Sequence, residues 1–254
     1  ADEFLAGYPK HWMEQHAKAY GSLPGLVRQG LIEPLVDALP ARFRRAKIAL
    51  HSLAIRDFGE RMPSWFGSLT GDERRDLLSL APPHEAAGGA PYFESAPGNS
   101  ALRRILYFDQ TSWLPDNLLE RGDSMTMAAS IEARMPFMDH ELAAYVSRLP
   151  DDFRMRGRVG KWILREGMKK LLPEQILTRP KVGFRVPVSE WFRGPLKPYL
   201  MEKLASNASR TRAYFDGKAL DRVLLEHIEG RKNHEKLLWS LLSLEIWHRE
   251  YGLG

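Results

Sequence analysis

The chain has 254 residues and a net charge of +5, with 44% hydrophobic and 27% charged residues, the balance of a globular domain rather than a disordered segment. That length suffices for one large domain or two small ones. Cysteine is absent, which excludes disulfides, thiolate nucleophiles and cysteine-ligated zinc or iron–sulfur centres, and fits a reducing compartment.

In chain order, Phe43, Ala46, Leu50, Leu53 and Ala54 recur at three- and four-residue steps and predict an amphipathic helix, with Arg42, Arg44, Arg45 and Lys47 elsewhere on its surface. Thr70 stands three residues before Glu73, ahead of Leu77 and Leu78, in the pattern of a capping box. Residues 82–99 hold seven Gly or Pro in eighteen positions without a helical period, which predicts a long loop inside one domain. Asp139 is placed to cap a helix with Leu142, Tyr145, Val146 and Leu149 on one face and Pro150 as its stop. The extended candidate is 181–188, where Gly183 and Pro187 make it more loop than strand. Asp216 caps a further helix carrying Leu220, Val223, Leu224 and Ile228 and stopping at Gly230. A last helix from about His234 carries Leu237, Leu238, Leu241, Leu242 and Leu244, then Trp247. The fold class read from these elements is mainly α.

No apolar run reaches membrane-spanning length, since 237–244 is broken by Ser240 and Ser243 and followed by Glu245. The chain opens on Ala-Asp-Glu, without the basic n-region of a signal peptide and without an initiator Met, so a processed chain or an excised fragment is expected; the expected location is cytoplasmic. Its charge is uneven: residues 151–200 carry 12 Lys/Arg against 5 Asp/Glu, and the remainder 25 against 27. Such a field suits an anionic partner (nucleotide, pyrophosphate, nucleic acid or an acidic substrate), or is simply a solvated face. Nucleic acid lacks the interleaved aromatics or binding module that would support it.

Several motifs fail on their spacing. Gly157 and Gly160 before Lys161 fall short of a phosphate loop, because two residues rather than four separate the glycines and Trp162 follows the lysine. His11 and His16, five apart, share no helix face and read as packing or surface groups. Met125 and Met127 read as core.

Three stretches concentrate chemistry. The first is Ala1-Asp2-Glu3-Phe4-Leu5-Ala6-Gly7-Tyr8-Pro9, adjacent acids entering a small-residue turn, or simply acids at a helix N-terminus. The second runs from Asp123 through Ser124, Met125, Ser130, Glu132, Arg134, Pro136 and Phe137 to Asp139; acids and an arginine among apolar residues also read as a buried ion-pair network. The third is Arg179-Pro180-Lys181-Val182-Gly183-Phe184-Arg185-Val186-Pro187, where a lysine on a loop stiffened by two prolines and a glycine suits oxyanion stabilisation, or is an ordinary exposed lysine.

Together and in this order, the stretches resemble the synthetase domain of glutamine-dependent asparagine synthetases, whose patterns run Gly-x-Gly-x-Asp-Glu-Leu-Phe-x-Gly-Tyr, then Asp-x-x-Ser-Met-Ala-x-Ser-x-Glu-x-Arg-x-Pro-Phe-x-Asp, then Arg-x-Lys-x-Gly-Phe-x-x-Pro. Leu238-Trp239-Ser240-Leu241 with Trp247 matches the family's closing segment. The resemblance covers essentially the whole chain and is weakest between 21 and 100. It implies the helical C-terminal portion of an α/β adenine-nucleotide α-hydrolase-like synthetase domain, the kind that carries a pyrophosphate loop.

The activity implied is ATP-dependent: an aspartate side-chain carboxylate is adenylated, pyrophosphate leaves, and ammonia from a glutaminase domain displaces AMP. The resemblance carries Asp2 over as a ligand of Mg²⁺ on the pyrophosphate, and Lys181 as the catalytic lysine. Asp109 falls where a catalytic carboxylate would fit. Glu3, Asp123, Glu132, Arg134 and Asp139 fall on the signatures as substrate or motif residues, the last three expected to brace the motif loop. ATP and Mg²⁺ are the implied cofactors. The implied partners are aspartate, and the glutaminase domain and pyrophosphate-loop sheet of the same polypeptide, with neither nucleic acid nor a membrane.

The family's Ser-Gly-Gly-x-Asp-Ser loop, the glycines before the Asp-Glu pair and the glutaminase cysteine do not occur in the 254 residues. Residues 1–254 are therefore expected to be a C-terminal piece of a synthetase, inactive alone, whose uncovered helices favour self-association into a homo-oligomer. The alternatives are an amidotransferase acting on another carboxylate, of the β-lactam synthetase type, and a non-catalytic binding or assembly module.

Overall fold

The computed structural model describes residues 1–39, 43–67, 69, 71–78, 100–180 and 186–252, which are mainly helical with a two-stranded antiparallel sheet. Two compact units divide the chain: Ala1–Val36, Ile48–Trp65 and Gly88–Gly183 form the first, and Asp37–Lys47, Phe66–Ala87 and Phe184–Gly254 the second. The loop expected over 82–99, Thr70 of the capping box and Lys181 all lie outside the described residues.

In the first unit, helix Ala101–Phe108 begins at Ser100, whose hydroxyl accepts the Arg103 N–H at 3.1 Å. The cap satisfies one of the donors that a helix start leaves open. Leu102, Ile105, Leu106 and Phe108 are buried at the three- and four-residue steps of one face. The helix runs on into a π-helical stretch, Asp109–Leu119, which buries Asp109 and Leu114. Ser112 returns its hydroxyl to the Phe108 carbonyl at 2.6 Å, and Pro115, inside the stretch, brings no N–H of its own.

Phe4, Leu5, Leu114 and Val146 form a small core with Ile163 and Leu164 packed against it. Each such side chain, fully buried, contributes about 1.5–3 kcal/mol. Helix His140–Arg148 is capped as predicted, Asp139 Oδ1 accepting the Leu142 N–H at 2.8 Å, and it ends before Pro150. Its predicted apolar face is only partly covered: Val146 is buried, but Leu142 and Tyr145 stay exposed. Leu142, Val146 and Leu164, with Phe4 and Leu5, line an apolar groove. Met125 and Met127 are 72% and 52% exposed on helix Glu120–Met127, which buries none of its residues, so the expectation of core positions is overturned.

Helix Arg44–Ala54 forms as predicted, but the buried positions are Ala49 and Ser52, while Phe43 and Ala46 are exposed. What packs against a helix chooses among neighbouring stripes, and small residues permit the closer approach.

The second unit is built around Phe192, Leu200, Leu204, Leu220, Leu224 and Leu238, all essentially inaccessible. Asp216 Oδ1 accepts the Ala219 N–H at 2.8 Å to start helix Gly217–Ile228, and Gly230 follows its end at φ +75°. Only glycine adopts that conformation without strain. Leu220, Val223 and Leu224 are buried as predicted. Helix Glu235–Tyr251 buries Leu237, Leu238, Leu241 and Leu242, and with them Glu245, which its sequence period does not single out. The extended reading of 181–188 is corrected at its far end, since Val188 begins helix Val188–Arg193. Among the described residues, no helix is long and apolar enough to cross a membrane.

Candidate active site

The first unit gathers the chemistry around the opening turn. Backbone bonds from Leu5 N–H to Ala1 O at 3.0 Å and from Gly7 N–H to Asp2 O at 2.8 Å wind the turn, and Ala6 takes φ +59°. Glu3 is buried, and its Oε1 accepts the Tyr8 hydroxyl at 2.5 Å. Burial, reinforced by the neighbouring Glu3 carboxylate, raises the Tyr8 phenol well above its ordinary range, so it is a fixed donor at neutral pH.

Asp2, the sequence candidate for a metal ligand, faces Lys161, which follows the two glycines whose spacing falls short of a phosphate loop. Lys161 Nζ lies 2.9 Å from Asp2 Oδ1, and the Lys161 N–H donates to Leu5 O at 2.6 Å. Lys161 sits there because Met155–Arg156 and Val159–Gly160 pair as a hairpin and it leaves the second strand at φ +54°. Gly160 makes the approach possible, since a Cβ there would stand 1.9 Å from the Ala6 carbonyl oxygen. At Gly7 a Cβ would stand 1.7 Å from Asp2 Oδ1, a side-chain rather than a backbone atom, so a substitution there would push the Asp2 carboxylate out of its place. The clustered Gly and Lys residues at 157–161 were a usable signal, but their partner is the acidic turn rather than a loop of their own.

Asp109 is fully buried. Its Oδ1 accepts from Lys10 Nζ at 2.5 Å, and its Oδ2 lies 2.7 Å from His11 Nε2. Burial pushes the Lys10 ammonium down to about 8, against the pull of Asp109 in the other direction. His11, read from the sequence as a packing or surface group, is wholly buried and sits inside this cluster, hydrogen-bonded to Asp109. Sequence reasoning missed Lys10 and His11 as members, because no local spacing links them to residue 109.

The signature residues of the second stretch are not drawn into the turn's hydrogen bonds. Arg134 Nη2 pairs with Glu132 Oε1 at 2.6 Å, with side chains 81% and 64% exposed. This overturns the reading of a buried network, and an exposed pair of this kind is worth about 0–1 kcal/mol. Asp139 serves as a helix cap, and Asp123 lies exposed in the first turn of helix Glu120–Met127. Among the described residues, no three His, Asp or Glu side chains converge as a metal cage. Magnesium asks for less, one or two carboxylates plus substrate phosphates, and the oxygen donor of Asp2 fits that demand.

The asparagine synthase family model matches residues 1–249. A Mycobacterium bovis protein named "Putative asparagine synthetase (glutamine-hydrolyzing)" is 32% identical over 257 residues, covering 98% of this chain and 38% of the relative. Asparagine synthetase (glutamine-hydrolyzing) 1 of Bacillus subtilis is 29% identical over 157 residues, 62% of this chain and 24% of the relative. Amidase chry2 of Gibberella zeae is 28% identical over 120 residues, 44% of this chain and 18% of the relative. The chain thus spans well under half the length of these relatives. No solved structure matches. With three signature stretches in order and a family model matched from the acidic turn to residue 249, this chain belongs to the asparagine synthase family.

Proposed function

We propose that the chain supplies part of the synthetase site of an ATP-dependent amide-forming enzyme that converts aspartate to asparagine with ammonia drawn from glutamine. The observation that carries this reading is the pairing of Asp2 with Lys161 at 2.9 Å, an oxygen donor for a hard cation beside an ammonium for a phosphate. The family membership and the relatives' names support it.

In this reading an oxygen of the aspartate side-chain carboxylate bonds to the α-phosphorus of ATP while the bond to the bridging oxygen breaks and pyrophosphate leaves. Ammonia then bonds to the acyl carbon, its nitrogen gives up a proton to solvent, and the tetrahedral oxyanion collapses as the bond from the acyl carbon to the phosphate oxygen breaks and AMP leaves. Mg²⁺, when bound, offsets charge on the pyrophosphate, and Asp2 is the residue of this chain that would hold it. Lys161 keeps the Asp2 carboxylate oriented and offers a second positive charge toward the phosphates. Lys181 is assigned the charge that builds on the α-phosphate and on the oxyanion, where a preplaced ammonium is worth most. Glu3 and Tyr8 lock the turn. The glutaminase and the pyrophosphate-loop sheet are assigned to the same polypeptide, outside residues 1–254.

A second reading keeps the chemistry and changes the acceptor to a carboxylate other than that of aspartate, as in the β-lactam synthetase type; relatives 28% and 27% identical over shorter spans carry the name amidase rather than asparagine synthetase. Pyrophosphate release by the full polypeptide, assayed with ATP, Mg²⁺ and a panel of carboxylates, separates the two. Lys181→Ala is expected to abolish amide synthesis while glutamine hydrolysis persists. Synthesis at the unmodified rate in that variant would refute the role given to Lys181.

A further inference from the structure

Asp109 stands at the junction between helix Ala101–Phe108 and the π-helical stretch, with no exposure to solvent. Both of its carboxylate oxygens are engaged, one by Lys10 at 2.5 Å and the other by His11 at 2.7 Å. His11 Nδ1 accepts the Tyr8 N–H at 3.3 Å, which assigns the ring proton to Nε2 and makes it the donor to Asp109. The next residue, Gln110, donates its side-chain amide to the Glu3 carbonyl at 3.0 Å. Tyr8 closes the circuit by donating its hydroxyl to Glu3. The dipeptide 109–110 therefore grips the acidic turn at both ends: at Glu3 through Gln110, and just past Tyr8 through Asp109.

A carboxylate with both oxygens occupied and no access to solvent cannot meet a substrate amine or carboxyl without dismantling its own contacts. We propose that Lys10, Asp109 and His11 form a buried clamp that holds the Asp2–Glu3 turn in place, so that Asp109 is a positioning residue acting through Asp2. The inference rests on the reading above, in which Asp2 faces the magnesium-bound pyrophosphate. It departs from a catalytic role for Asp109, which would require direct contact with reacting atoms.

The conservative test is Asp109→Asn, which keeps the side chain's size and one acceptor and removes the charge. Mg²⁺-pyrophosphate binding to the full polypeptide is measured by calorimetry, and the Mg²⁺ dependence of pyrophosphate release is measured alongside. The clamp predicts about tenfold weaker binding, with kcat at saturating Mg²⁺ within about threefold of the unmodified protein. A loss of kcat of about a hundredfold or more at saturating Mg²⁺, with binding unchanged, would establish direct catalysis and overturn the proposal. Unchanged binding and unchanged kcat, with only a lower unfolding temperature, would overturn it equally, leaving a packing role. Should Asp109→Asn fail to fold, His11→Gln is read by the same criteria. An unmodified protein that binds Mg²⁺-pyrophosphate but releases none with any carboxylate would sink the proposed activity. The binding comparison would still decide the clamp.

Discussion

Glu245→Gln probes how a buried charge is stabilised in the second unit. Glu245 is inaccessible on helix Glu235–Tyr251. Its carboxylate accepts from Ser209 Oγ at 2.9 Å, Thr211 N–H at 2.8 Å, Arg210 N–H at 3.3 Å and Arg249 Nε at 2.7 Å. Burial pushes this carboxyl up, but the donors from Thr211, Arg249 and Ser209 outweigh it and bring it down to about 2 from an ordinary 4.5. At ~1.4 kcal/mol per tenfold, the difference corresponds to about 3 kcal/mol of folding stability.

Because the folded-state value is depressed, that contribution is complete above about pH 4.5 and is lost as pH falls toward about 2, with about half remaining at about pH 3. Glutamine keeps the shape but turns an amide NH₂ toward groups that are themselves donors. The variant is therefore expected to lose about 3 kcal/mol at neutral pH and about half of that near pH 3. Urea unfolding at both pH values checks this, with Trp239 and Trp247 on the same helix as fluorescent reporters. A deficit below about 1 kcal/mol at neutral pH, or one of equal size at both, would refute the reasoning.

Two further outcomes follow from backbone geometry. Gly160→Ala places a Cβ 1.9 Å from the Ala6 carbonyl oxygen, and the hairpin must shift away from the acidic turn. A loss of about 3 kcal/mol is expected by thermal unfolding, whereas Gly167→Ala, whose Cβ meets nothing within 4 Å, is expected to be neutral or stabilising by up to about 1 kcal/mol. Equal effects at the two glycines would contradict the close approach. Asp216→Ala removes the side-chain acceptor for the Ala219 N–H and should cost about 1 kcal/mol, with Asp216→Asn recovering most of it. Chemical denaturation measures both variants.

Sequence alone determined the features that a few neighbouring residues control. Asp139 and Asp216 as caps, Gly230 as a stop and the leucine stripes of the last two helices are read from steps of three and four residues, and all of them form. The signature stretches were equally legible, because their order survives in one dimension. Tertiary structure decided what depends on partners far apart in the chain. Lys161 reaches Asp2 only after the hairpin folds back, and Asp109 meets Lys10 and His11 across about a hundred residues. No periodicity encodes those distances, since they are set by how helices pack and by where a glycine lets two backbones touch. Exposure at Met125, Met127, Glu132 and Arg134 was hidden for the same reason. A side chain's type suggests whether it prefers burial, but burial itself requires a neighbour, and the neighbour is a property of the fold.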